Sequence, residues 1–197
     1  MATLNNSTIL TSGATSTGVV TTGGGVTTIS GGSVTTSGIG ASGLSVDGAG
    51  SKITASNAVV TTRGGYDLTA GNFAFGVIAS NGGSATFAGG SITTNGPSAH
   101  AAFAFNDGSV TLSGGTTVST TGAGAFGLFV NGVGSSLTAT GVSVTTSGGI
   151  EPAFNAPAIG AYNGSASPGD PTGGVMSLTD TTIATTGAGA IGVATNR

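Results

Sequence analysis

The amino-acid sequence predicts an all-β protein, a parallel β-helix (β-solenoid) of about seven coils. One observation is a five-residue motif of Val or Ile, an outward residue, Thr, a polar residue and Gly, which occurs seven times in 197 residues. The motif glycines lie at 13, 38, 64, 96, 122, 148 and 187, a period near 25 with two stretched intervals, as in repeat architectures. The other observation is that hydrophobic residues make up 37% of the chain and recur at fixed positions, unlike those of a disordered Gly/Ser/Thr linker. We therefore expect a single solenoid domain over residues 1–197.

The first strand of each repeat carries one large apolar residue. Because each strand should pair with its equivalent in the next repeat, we expect these side chains to form one vertical interior stack. The predicted interior ladder is Leu4, Ile29, Ile53, Phe87, Leu112, Leu137 and Leu178.

The second strand is the repeated motif itself, whose alternation and β-branched residues are typical of a short strand. The motif threonine is predicted to point inward together with the Val or Ile. These threonines are Thr11, Thr36, Thr62, Thr94, Thr120, Thr146 and Thr185. The residue between the two inward positions is predicted to point outward, as Leu10, Thr35, Thr61, Thr93, Ser119, Thr145 and Ala184.

The third strand follows the motif glycine and reads apolar or small, Gly, apolar, as in Phe126-Gly127-Leu128. In the copy Ala101-Ala102-Phe103, Ala102 takes the place of the glycine. An Asn-Gly or Asp-Gly pair then supplies the left-handed backbone of a tight corner. The five pairs are Asp47-Gly48, Asn81-Gly82, Asp107-Gly108, Asn131-Gly132 and Asn163-Gly164.

Three loop insertions interrupt this pattern, at 65–72, 149–158 and 163–174. The last two flank one strand and are expected to protrude together. Insertions in solenoids often carry binding, so Ile150, Glu151, Phe154 and Asp170 are the candidate binding residues. A tolerated loop without function is an equally open alternative.

The sequence offers little catalytic chemistry, and we expect no enzyme, cofactor or metal site. Three G-x-G-x-x-G matches recur at the same place in three coils and precede strand-like residues, which favours solenoid corners over a nucleotide site. The single histidine, His100, is interpreted as a surface residue, and Asp47 and Asp107 as turn residues. An ice-binding surface would need two outward threonines per strand, and the second strand offers one column containing Leu10 and Ala184.

Charge and targeting signals narrow the partners. Only 5% of residues are charged, and the strong bases are Lys52, Arg63 and Arg197. This composition excludes the basic track that nucleic acid requires and a polybasic membrane patch. The sequence has no cysteine, and it shows no signal peptide and no apolar run of membrane-spanning length, so no membrane insertion is expected.

Gly-Ala-Phe-Gly-Leu-Phe-Val-Asn-Gly, Ser-Ser-Leu-Thr-Ala-Thr and Val-Ser-Val-Thr-Thr-Ser-Gly resemble the passenger β-helices of bacterial autotransporters and related surface adhesins. The resemblance rests on repeat style over nearly the whole chain. It implies a right-handed, three-faced β-helix, located extracellularly or on the bacterial cell surface, with an adhesive or structural role. The C-terminal barrel strands and the capping segment of a complete autotransporter are not found.

The leading functional hypothesis is a non-catalytic extracellular structural subunit that stacks head-to-tail on itself into a filament. It rests on a chain of seven whole turns whose sheet edges are uncovered, since open edges are templates for another chain. The alternative is an adhesin segment that binds a cell surface or glycan through residues 149–174. An ice-binding or polysaccharide-acting protein is the third hypothesis.

Overall fold

The computed structural model describes residues 1–165 and 173–196 and consists of strands, turns and loops, with no helix in those ranges. Three parallel sheets of seven strands run the length of the molecule, and each coil contributes one strand to each sheet. The protein is thus a right-handed, three-faced parallel β-helix of about seven coils, as the sequence predicts.

The three sheets follow one another around each coil. Sheet A contains β1 (Ala2–Asn5), β4 (Val26–Ser30), β7 (Lys52–Ser56), β10 (Ser84–Ala88), β13 (Ser109–Ser113), β16 (Ser136–Thr140) and β21 (Val175–Thr179). Sheet B contains β2 (Thr8–Thr11), β5 (Ser33–Thr36), β8 (Val59–Thr62), β11 (Ser91–Thr94), β14 (Thr117–Thr120), β17 (Ser143–Thr146) and β22 (Thr182–Thr185). Sheet C contains β3 (Val19–Thr21), β6 (Leu44–Asp47), β9 (Phe75–Ser80), β12 (His100–Phe105), β15 (Phe126–Asn131), β20 (Ile159–Asn163) and β23 (Ile191–Thr195).

The interior of sheet A holds two columns, so the predicted single stack is wrong at two positions. One column is Leu4, Ile29, Ala55, Phe87, Leu112, Ala139 and Leu178. The other is Ala2, Thr27, Ile53, Ala85, Val110, Leu137 and Met176. Ile53 and Leu137 lie in the second column, each two residues before an alanine in the first. All seven predicted residues face the core, because a shift of two residues keeps a side chain on the same face of a strand.

The predicted threonine ladder of sheet B is confirmed. Thr11, Thr36, Thr62, Thr94, Thr120, Thr146 and Thr185 pair in register from coil to coil. The five central members are fully buried. Thr94 donates from Oγ1 to the Ala99 carbonyl at 2.9 Å, whereas the hydroxyls of Thr120 and Thr146 have no partner. The hydroxyl can thus close the corner between sheets B and C, although two coils do without that bond.

The glycines of the third-strand pattern form a column in sheet C. Sheet B approaches this column so closely that a side chain would not fit there. A Cβ at Gly127 would lie 2.6 Å from Val144 Cγ1 and 2.5 Å from the Gly160 carbonyl oxygen. The column continues through Gly76 to Ala101, whose carbonyl lies against Gly76. Ala101, and not Ala102 as the sequence suggested, therefore occupies the glycine position, and Ala102 pairs with Leu128.

The insertions lie at two corners. The 65–72 insertion falls between β8 and β9, where Asp67 and Asn72 form an isolated bridge. The 149–158 insertion contains an antiparallel hairpin of β18 (Ile150–Glu151) and β19 (Ala156–Pro157). That insertion precedes β20, and the 163–174 insertion follows the other end of β20. Residues 166–172 lie outside the described part of the chain.

Candidate functional site

An aromatic cluster covers the outer face of sheet C. It comprises seven of the eight phenylalanines, both tyrosines and the single histidine. Its members are Tyr66, Phe73, Phe75, His100, Phe103, Phe105, Phe126, Phe129, Phe154 and Tyr162. Each ring contacts at least one other member, and the contacts join all of them into one surface.

The centre of the cluster is a ladder of stacked rings along the solenoid axis. Phe103 stacks on Phe129 with ring centroids 4.3 Å apart and on Phe75 at 5.0 Å. Phe129 stacks in turn on Tyr162 at 5.4 Å. Parallel pairing without register change produces the ladder, since Phe103, Phe129 and Tyr162 are strand partners in three successive coils. Phe103 is 8% and Phe129 4% exposed, so both faces of each ring are occupied by neighbouring rings.

Nine of the ten cluster members, all except Tyr66, line a groove of about 850 Å³. The floor of the groove is the ring ladder. The hairpin contributes Phe154, Ala156 and Pro157, and Ser165 contributes from beyond the C-terminal end of β20. Among the described residues, the lining contains no Asp, Glu, Lys or Arg. A volume of this size falls in the range of small-molecule sites, which are mostly apolar with a few placed polar groups.

His100 is a buried polar side chain of the groove. It is 5% exposed and stacks on Phe126 at 4.5 Å and on Phe73 at 5.3 Å. Burial lowers the pKa of His100 from 6.5 to about 3. Its Nδ1 accepts a hydrogen bond from the Phe126 backbone N–H at 3.0 Å. The ring is therefore neutral with its proton on Nε2, and the interpretation of His100 as a surface residue is wrong.

Several further polar side chains line the groove, among them Tyr162 and Asn131. Tyr162 donates its hydroxyl to the Ser165 carbonyl at 2.8 Å, so this donor is already used. Asn131 lines the groove, and its Oδ1 is buried without a hydrogen-bond partner. Buried polar atoms are normally paired, which marks Asn131 as an acceptor left open beside the groove.

The predicted protrusion contributes one ring to this site. Phe154, 45% exposed, lines the groove and meets Tyr66 edge-on at 5.0 Å. Ile150 is 49% exposed but lies outside the lining. Glu151 accepts from the Ala153 N–H within its own turn, at 3.2 Å, and is also outside the lining. Asp170 lies outside the described residues.

The other motifs remain corners. The G-x-G-x-x-G matches join strands of sheets B and C; the one at 122–127, for example, connects β14 to β15. Asp47 accepts from Ser80 and Asn81 in the next coil, at 2.7 and 2.6 Å. In the strand register Asp47 pairs with Ser80, and Ser80 pairs with Phe105. Asp107 lies two residues beyond Phe105, so the two aspartates do not occupy equivalent positions in their coils. The described residues contain no group of three His, Cys, Asp or Glu side chains arranged for a metal ion.

Hydroxyl side chains cover the outer faces of sheets A and B. Sheet A carries an unbroken outer column of Thr3, Thr28, Thr54, Thr86, Thr111, Thr138 and Ser177. Sheet B carries two outer columns where the sequence analysis recognised one. The second is Thr8, Ser33, Val59, Ser91, Thr117, Ser143 and Thr182. The aromatic cluster is thus confined to one of three faces.

Sequence reasoning missed the cluster because it treated the third strand as uniformly interior. The usable signal was the position of the aromatic residues in the repeat. The third strand of consecutive repeats contains Phe75, Phe103, Phe126, Phe129 and Tyr162, whereas the first two strand families contain only Phe87.

Comparison with protein-family models, curated proteins and solved structures finds no match to this chain. In residues 1–165 and 173–196 there is no helix with the length and hydrophobicity to span a membrane.

Proposed function

We propose that the protein is a non-catalytic binding module in which the β-solenoid holds a ligand in the aromatic groove of sheet C. The observation that carries the proposal is the confinement of ten aromatic and imidazole rings to one outer face, around a groove of about 850 Å³. Contiguous apolar surface on the outside of a protein marks interaction sites. This role agrees with the extracellular, adhesin-like passenger segment expected from the sequence resemblance.

The distribution of side chains supports binding over a purely structural role. A scaffold needs apolar residues inside the coil, and sheets A and B follow that rule with mainly Ser and Thr outside. Sheet C alone places Phe126, Phe129 and Tyr162 on its outer side while Leu128 and Val130 fill the core. Phe105 is 40% exposed. Because other apolar side chains already fill the interior, packing does not explain an exposed ring at such a position.

The chemistry of the groove favours binding without catalysis. The described lining offers no carboxylate, and its one imidazole is neutral and uses Nδ1 as an acceptor. A general acid or base works best with a pKa near the operating pH, which burial prevents for His100.

The test compares the wild-type chain with Phe154→Ala in thermal-shift screens against neutral oligosaccharides and neutral aromatic compounds. Ile150→Ala is the matched control, because Ile150 belongs to the same hairpin and is similarly exposed but does not line the groove. We expect at least one compound to raise the melting temperature of the wild type and of Ile150→Ala, but not of Phe154→Ala. If no compound separates the variants in this way, the binding proposal is rejected.

Ice binding is a second candidate, favoured by the outer face of sheet A. Its seven hydroxyl residues form one column with the regular spacing of paired strands, about 4.8 Å. Ser30, Ser56 and Ser113 lie two residues further along their strands on the same face. Thermal hysteresis of the wild-type chain, lost on Thr86→Tyr, would support this candidate; the absence of hysteresis would reject it.

A further inference from the structure

We infer that the groove takes an uncharged, mainly apolar aromatic molecule whose hydrogen-bond acceptor receives Nε2–H of His100, and that it does not take a sugar. This inference deepens the proposed function and rests on it. Four features of the groove carry it: the orientation of the floor rings, the charge of the lining, the state of His100 and the size of the space.

The floor presents the edges of its rings to the groove. Phe103 is sandwiched between Phe75 and Phe129 with interplanar angles of 17° and 14°, and Phe129 also stacks on Tyr162 at 26°. A sugar binds an aromatic platform by packing its C–H groups on an exposed ring face, and the faces of the central rings Phe103 and Phe129 are covered. Ring edges carry partial positive charge and attract the negative face of another ring. A flat aromatic ligand can therefore lie over the ladder in edge-to-face contact.

The lining is electrically neutral among the described residues. Its imidazole remains uncharged because burial lowers the pKa of His100 to about 3. Transfer of an ionised ligand from water into such surroundings is costly unless a counter-charge or several hydrogen bonds compensate it. The described groove supplies no counter-charge, so we expect it to disfavour carboxylate and ammonium ligands.

His100 provides one directed polar contact. Its side chain is more than nine-tenths buried and lines the groove. Nδ1 is occupied by the Phe126 N–H, so the proton resides on Nε2, which has no hydrogen-bond partner among the described residues. This donor can therefore give its hydrogen bond to a ligand that carries an acceptor.

The size of the groove fits a small molecule. About 850 Å³ lies within the roughly 300–1,000 Å³ typical of pockets that bury most of a drug-sized ligand. Phe154 forms a wall on the hairpin side, where it contacts Phe73 at 6.3 Å and Tyr66 at 5.0 Å. We therefore expect the ligand to lie between Phe154 and the ring ladder.

The experiment is isothermal titration calorimetry at pH 7 on the full chain with four probes. 2-Acetylnaphthalene is neutral, flat and carries an acceptor, and 2-ethylnaphthalene matches its shape without an acceptor. 2-Naphthoate is the anionic analogue, and cellohexaose represents neutral sugars. We expect 2-acetylnaphthalene to bind roughly 2- to 12-fold more tightly than 2-ethylnaphthalene, the range that one neutral hydrogen bond supports. Naphthoate and cellohexaose should show no measurable binding.

Two variants localise the effect. His100→Phe keeps a stacked ring but removes the donor, so 2-acetylnaphthalene and 2-ethylnaphthalene should bind to this variant with about equal affinity. Phe154→Ala should weaken both neutral probes, whereas Ile150→Ala should leave them unchanged. Circular dichroism verifies folding, and the probe series on the wild type tests the inference even if His100→Phe does not fold.

The outcomes separate the inference from the proposed function. Equal affinity for the two neutral naphthalenes, or tighter binding of naphthoate, overturns the inference. Binding of cellohexaose that Phe154→Ala abolishes also overturns it, but supports the binding groove itself. If none of the four probes binds, the inference fails, and the wider thermal-shift screen then decides whether the proposed function stands.

Discussion

Replacement of Leu112 by alanine tests the interior arrangement of the solenoid. Leu112 is fully buried and pairs with Phe87 in the coil before and Ala139 in the coil after. The strands around it are hydrogen-bonded on both sides, so the backbone cannot collapse into the space that the side chain leaves. Leu→Ala substitutions in cores cost about 2–5 kcal/mol. We expect the upper half of this range, because the neighbouring Ala139 is too small to fill the cavity.

The assay is thermal and urea unfolding of Leu112→Ala beside Thr111→Ala. Thr111 is the preceding residue of β13 and points outward in the hydroxyl column of sheet A. For a chain of this length, about 1 kcal/mol corresponds to roughly 2–4 °C, so Leu112→Ala should lower the melting temperature by roughly 7–20 °C. The surface substitution should stay within about 0.5 kcal/mol of the wild type. Equal shifts for the two variants would refute the assigned faces of sheet A.

Four further predictions follow from the described contacts. Thr94→Val should destabilise by about 1 kcal/mol because it removes the bond to Ala99, whereas Thr120→Val should be neutral or stabilising because that hydroxyl has no partner; urea unfolding that ranks them in the opposite order would contradict this. Gly127→Ala should destabilise by more than about 1 kcal/mol through overpacking, but Gly192→Ala should not, since nothing lies within 4 Å of its Cβ position; similar melting temperatures would count against the close approach of sheets B and C. The lowered pKa of His100, about 3 against 6.5, means that the unfolded state binds more protons between these values. Stability should therefore rise with pH through this window by up to about 5 kcal/mol and be level in this respect above it; an unchanged slope in His100→Phe would disprove the cause. Head-to-tail self-association into filaments stays a prediction, to be tested by light scattering and electron microscopy at high concentration; a monomer under all conditions would reject it.

The course of the chain was predictable because its signals are local and repeated. The motif threonines, from Thr36 to Thr146, alternate with outward residues at period 2, and each motif ends at a glycine, so strand, face and corner follow from the sequence. The column of a large side chain was not predictable in strands whose two inward positions carry the large and the small residue in reverse order. Ile53 with Ala55, and Leu137 with Ala139, fill the same space as Ala85 with Phe87 in reverse order. Either order buries one large side chain per strand, so hydrophobic pattern alone does not select the register.

The candidate site was predictable only at Phe154, which stood out because it lies in an insertion. The ring ladder depends on which side of sheet C each residue faces, and the glycine column disturbs simple alternation there. In β15, Gly127 and Leu128 are both buried, between the half-buried Phe126 and the buried Phe129. The state of His100 depends on Phe73 and Phe75 from the coil before it and on Phe126 and Phe129 from the coil after it. Such long-range burial leaves no local trace in the sequence.

The most direct test of the binding account is a backbone-amide NMR titration of the ¹⁵N-labelled chain with 2-acetylnaphthalene. The account predicts chemical-shift changes at the outer positions of sheet C, foremost Phe126, Phe129 and Tyr162, and at Phe154 in the hairpin. The amides of Thr35 and Thr111, on sheets B and A, should not move. Changes centred on those hydroxyl faces, or no changes at all at saturating probe, would contradict binding of a neutral aromatic ligand in the groove.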